Sequence, residues 1–188
     1  MTRLFVSGRS PTNDMHKHPW TSVAILVSIL ICAAQGTDKT PSGFKQLQAL
    51  AGDWEGKDAS GTVAKTSFKI VVANTTVMET LVAHGMEEML TLYTVDGDGV
   101  ALVHYCPTNN QPRMRAVPKT GNVKELDFQF TGAGNLPDLA LGHEQRLVLR
   151  FNDENHITEE WTWRRNEKDQ VTVYHFARSA TPTASRSN

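Results

Sequence analysis

From Trp54 onward this chain alternates apolar and polar residues with period two, and that alternation limits the folds open to it more than any other feature. In residues 64–72, Ala64, Thr66, Phe68, Ile70 and Val72 share one side, with Lys65, Ser67 and Lys69 on the other. In 123–131, Leu126, Phe128 and Phe130 oppose Glu125, Asp127 and Gln129; in 143–151, Leu147, Leu149 and Phe151 oppose Arg146, Val148 and Arg150. Successive side chains of a strand point to opposite faces, so these segments are strands with one buried face. The same reading gives strands over 54–59, 75–83, 87–95, 100–106, 113–117, 157–165 and 170–178, about ten in all.

Short turns separate most of them: Ala73-Asn74, His84-Gly85, Asp96-Gly97-Asp98-Gly99, Gly121-Asn122, 152–155 and 166–169. Turns of this length join antiparallel neighbours, and no strand–helix–strand spacing for a parallel sheet occurs. A meander of about ten antiparallel strands removes its exposed edges most simply by closing on itself. The expected fold is therefore all-β: an antiparallel up-and-down β-barrel of the lipocalin kind over residues 43–179. A two-sheet sandwich is the alternative, but its crossings need longer connections. In 43–51, Phe44, Leu47 and Leu50 fall at helical spacing, with Ser42 as N-cap and Gly52 as stop. This one short N-terminal helix would cap an end of the barrel. One connection, 132–142, is long and holds Leu136, Leu139 and Leu141. It is read as packed over a barrel mouth or as a lid, and either places it near a ligand entrance.

Ahead of the barrel, residues 20–34 form an apolar run too short to span a bilayer, which takes about 20 residues. It follows His16, Lys17 and His18 and precedes Ala34-Gln35-Gly36, a small-x-small cleavage pattern. Residues 1–36 are thus expected to be a secretory signal peptide, with Met15 a candidate translation start. Residues 37–42 read as a linker and 180–188 as a disordered tail. The expected location is the periplasm or the extracellular space, with no stable membrane anchor after cleavage. Of 19 basic and 20 acidic residues, cleavage removes Arg3, Arg9 and Lys17 and Asp14, leaving a net charge of −3. No basic patch points to nucleic acid as a partner. The mature domain keeps one cysteine, Cys106, so its stability must come from the core.

Several segments resemble a family of exported bacterial proteins with lipocalin-like barrels. They are Gly43-Phe44, Gly52-Asp53-Trp54-Glu55-Gly56, residues 89–93, Asp96-Gly97-Asp98, His104-Tyr105-Cys106 and Asn110-Gln111-Pro112-Arg113-Met114. The likeness covers nearly the whole mature domain. In shape that family neighbours the fatty-acid-binding barrels and the haem-binding nitrobindins. After Gly56 the chain continues Lys57-Asp58-Ala59 where nitrobindins are glycine-rich, so haem is not carried over. The resemblance implies the fold and no reaction.

The candidate ligand-binding residues are His104, Cys106, Arg113, Arg115, Glu159, Trp161, Trp163 and His175. His104 and Cys106 share one strand face and could line a ligand or chelate one metal, with His175 the natural third ligand for haem or metal. Without a chelating cluster of known spacing, the plainer reading is an interior histidine beside a small buried thiol. Arg113 and Arg115 also share a face. Turned inward they would meet a ligand carboxylate, with Glu159 as internal counter-charge; the apolar alternation of Met114 and Ala116 favours arginines outside. Trp54, Trp161 and Trp163 read as core, or as surfaces for a planar ligand. No nucleophile elbow, Walker loop, HExxH or dinucleotide motif is present, which leans against an enzyme. The sequence thus points to a binding module for a small, largely apolar ligand. The alternatives are a haem or metal barrel and a structural or partner-binding domain.

Overall fold

The structure, a computed structural model, describes residues 40–83, 85–118 and 123–180. The expected signal peptide, residues 37–39 of the linker and the tail beyond residue 180 lie outside the described residues. A helix, α1 (Ser42–Ala49), leads into ten strands: β1 (Gly52–Asp58), β2 (Val63–Val71), β3 (Thr76–Ala83), β4 (Met89–Asp96), β5 (Gly99–Tyr105), β6 (Gln111–Ala116), β7 (Glu125–Gly134), β8 (His143–Phe151), β9 (His156–Arg165) and β10 (Lys168–Arg178). Each pairs antiparallel with the next, and β10 returns to β1, with Trp54 opposite Arg178, so the sheet closes into a barrel. No described helix is long and apolar enough to cross a membrane.

The period-two residues point inward as their alternation dictates. Trp54, Phe68, Val77, Tyr93, Val100, Leu102, Leu126, Phe128, Leu147, Leu149 and Phe176 are all buried to 2 % exposure or less. Burying each large apolar side chain contributes about 1.5–3 kcal/mol, which is why the phase of each strand is fixed. Two segments depart from the alternation read from the sequence. Ile70 and Val72 are exposed, because β2 ends at Val71 and enters a turn. β7 runs on to Gly134, past residue 131, through a register shift at Arg113/Met114, so the connection before β8 is shorter than its sequence suggests.

Helix α1 closes one end, beside the β2–β3 turn, with Phe44, Leu47 and Leu50 buried in the barrel core. Its N-cap is Pro41 rather than Ser42, and no side chain caps it. The C-terminal end is instead held from the far end of the chain. Arg178 donates to Ala51 O at 2.9 Å and Ala49 O at 3.1 Å, and its guanidinium lies 4.1 Å from the centre of the Trp54 ring. The Trp54 indole N–H in turn donates to Leu50 O at 2.9 Å. Gly56 explains part of the Gly-x-Trp-x-Gly pattern: a Cβ there would collide with the His175 carbonyl on the paired strand.

Candidate functional site

At the end opposite α1 the barrel opens into a cavity of about 370 Å³. Its walls include Leu81 from β3, Met89 from β4, His104 from β5, Glu144 from β8, Trp161 and Trp163 from β9, and Thr172 and Tyr174 from β10. Cys106, Pro107 and Thr108 of the β5–β6 loop form the rim. The β7–β8 connection reaches this end as well: Asn110 donates to Gly142 O at 2.8 Å and Asn135 to Asn109 O at 2.6 Å. Gly142 lies so close to the Trp163 indole that a Cβ would overlap it, which fixes that ring from behind. Leu139 and Leu141 of this connection are exposed, and neither lines the cavity. Two other concavities, over β1–β3 and between α1 and the β8–β9 turn, are more polar and lie away from the barrel interior.

Beneath the cavity floor lies a pair of carboxyls. Glu79 and Glu159 are inward-facing and fully buried, one inward position below Leu81 and Trp161. Glu79 accepts from Thr66 at 2.9 Å on Oε1 and from Tyr93 at 2.6 Å on Oε2. Glu159 Oε2 accepts from the Trp161 indole at 3.0 Å, and its Oε1 meets no donor. Burial raises the pKa of Glu79, and hydrogen bonds from Glu159, Tyr93 and Thr66 oppose the rise. Burial raises Glu159 well above the carboxylate range, and the neighbouring Glu79 charge adds to it. Two like charges do not both ionise in a dry interior; Glu159 is the more strongly raised and keeps its proton longer, while Glu79, with two hydroxyl donors, ionises first.

His104 stands above this pair. Its ring centre is 4.8 Å from that of Trp161, and its Nδ1 is 3.0 Å from Thr91 Oγ1. Nε2 is buried with no partner. Burial lowers its pKa to about 4, so the imidazole is neutral at physiological pH. Glu144 sits on the cavity wall with Oε2 buried and unpartnered, and burial raises its pKa to about 8.

The residues expected to form a site divide between the two faces of the wall. His104, Cys106, Trp161 and Trp163 line the cavity, and Glu159 lies just below it. Cys106 is half-buried at the rim rather than enclosed in the core, because β5 ends at Tyr105. His175 is exposed on the outer wall, where its Nδ1 meets Thr158 Oγ1 at 3.2 Å. It shares a phase with Val171 and Val173, but that phase is the outward one, so His175 cannot join His104 and Cys106 around a haem or metal. Among the described residues no three His, Cys, Asp or Glu side chains are placed to hold a metal ion. Arg113 is exposed, and Arg115 turns outward to Asp96 at 2.6 Å and Asp98 at 2.8 Å. The inward-arginine alternative therefore fails, and the neighbour of Glu159 is another carboxyl.

Glu79, Tyr93, Thr91, Glu144 and Tyr174 were not among the expected site residues. For Glu79 a signal existed: it occupies the inward phase between Val77 and Leu81 in an otherwise apolar set. Glu144 had none, because a register shift between Glu144 and Arg146 turns it to the inside. No protein-family model and no curated protein matches the chain.

Proposed function

We propose that this protein is a binding module whose open barrel end takes a small, largely apolar ligand. One observation carries the reading: an open cavity of about 370 Å³, walled by Leu81, Met89, Trp161, Trp163 and Tyr174, contains two buried polar atoms without partners, His104 Nε2 and Glu144 Oε2. Buried polar groups are almost always hydrogen-bonded, so a pocket that keeps two unsatisfied is suited to a ligand that satisfies them. Its volume lies in the range of small-molecule sites, about 300–1,000 Å³. Export, read from the apolar run at 20–34, and kinship with exported lipocalin-like barrels belong to the same proposal.

The test is uptake of the neutral dye Nile red by the full chain, followed by fluorescence and native mass spectrometry. Saturable one-to-one binding, weakened about tenfold in Trp163→Ala through loss of an aromatic wall, is the expected result. Absence of saturable uptake would leave a structural or partner-binding domain as the better reading.

A further inference from the structure

The chemistry of the unpartnered atoms narrows the ligand class, on the footing that the cavity binds a ligand at all. His104 Nδ1 lies 3.0 Å from Thr91 Oγ1. Nearby, the Tyr93 hydroxyl is turned to Glu79, donating to its Oε2 at 2.6 Å. A neutral imidazole carries one N–H, and with that proton on Nδ1 it is given to Thr91. That tautomer leaves His104 Nε2 as a bare lone pair, an acceptor facing a cavity that offers it no donor.

Glu144 Oε2 is a second such acceptor once the carboxyl ionises. Among the described residues that line the cavity there is no Lys or Arg, so nothing on the wall can serve as its counter-ion. A buried carboxylate without a cation is costly, and a ligand that brings the cation relieves that cost. The aromatic walls suit the same charge, since indole and phenol rings attract cations lying over their faces. A ligand carboxylate meets the opposite situation, because Glu144 repels it when ionised, and Arg113 and Arg115 lie on the outer surface.

We propose that the cavity selects an organic ammonium ion, a protonated amine on an apolar or aromatic body, which gives its N–H groups to Glu144 and His104 Nε2 and lies among the rings of Trp161, Trp163 and Tyr174. The barrel then differs in ligand class from those that carry fatty acids. Glu144 supplies the charge and His104 the second acceptor, its other ring nitrogen being engaged by Thr91.

Calorimetric titration of the full chain tests this with three protonated amines (2-phenylethylamine, tryptamine and cyclohexylamine), the neutral 2-phenylethanol and the anionic 3-phenylpropanoate. At least one amine should bind about tenfold or more tightly than the alcohol, and the acid should not bind. Glu144→Gln should abolish the preference for amine over alcohol, with thermal unfolding recorded to show that the variant is folded. Equal binding of amine and alcohol, binding of the acid, or an unchanged preference in Glu144→Gln overturns the proposal. If Nile red binds and no amine does, the ammonium inference fails while the binding module stands; if none binds, the binding module fails first.

Discussion

Glu79 and Glu159 are the same side chain in the same dry interior, and only their neighbours give them different roles. Both Glu79 oxygens accept a hydrogen bond, from Thr66 and from Tyr93, whereas Glu159 accepts one, from Trp161. A glutamine at 79 must turn its NH2 towards one of two hydroxyl donors, leaving a buried polar clash. A glutamine at 159 mimics the protonated acid already there. Glu79→Gln should therefore cost about 1–3 kcal/mol more than Glu159→Gln at neutral pH, as read from urea unfolding midpoints. Equal losses in the two variants would mean that the proton is not held on Glu159.

Elements of this barrel are joined by side chains that bridge distant parts of the sequence. Arg178, at the end of β10, reaches the last carbonyls of α1, the Trp54 ring in β1 and Glu154 O in the β8–β9 turn. Helix α1 is only eight residues long and lacks a side-chain N-cap, so little local free energy keeps it formed. Arg178→Ala should lower unfolding free energy by about 2 kcal/mol, combining a cation–π contact with hydrogen bonds made in a partly solvated setting. Hydrogen exchange should locate the loss, with the Leu47 and Leu50 amides exchanging faster while β6 and β7 are unchanged. Arg178→Lys should recover little, because an ammonium cannot span two carbonyls and stack on the indole together.

For the molecule as a whole, the buried titratable groups set how stability varies with pH. Glu144 holds its proton more tightly folded than unfolded, so its contribution is complete below about pH 4.5 and is lost as pH rises towards about 8. Glu79 and Glu159 act in the same direction. His104, lowered to about 4, acts oppositely: its contribution is present above pH 6.5 and is lost as pH falls towards 4. The two trends oppose each other between about pH 4.5 and 6.5. Above that only the carboxyls act, so unfolding free energy should fall by on the order of 1 kcal/mol from Glu144 between pH 6.5 and 8. Glu144→Gln should flatten this slope. Below pH 4 a separate loss is expected as Asp98, Asp127 and Asp169, held low by Arg115, Arg146 and Arg164, become protonated.

Strand number, antiparallel order, barrel closure and the capping helix were legible in the sequence because each rests on local rules. Alternation gives the buried face, and turn length gives the neighbour. The inward phase of Trp161, Glu159 and His104 followed from the same period. What the sequence left open depended on contacts between strands far apart in the chain. Whether His175 joined His104 turned on the absolute phase of β10, where Val171 and Val173 share the phase of His175 but Tyr174 and Phe176 occupy the inner face. Glu144 entered the cavity only through a register shift against β9, which no periodicity reports. The pairing of Glu79 with Glu159 needed the barrel to close, because β3 and β9 meet only across the interior. Side-chain phase is a property of one strand; a site is a property of several, and only tertiary structure sets their register.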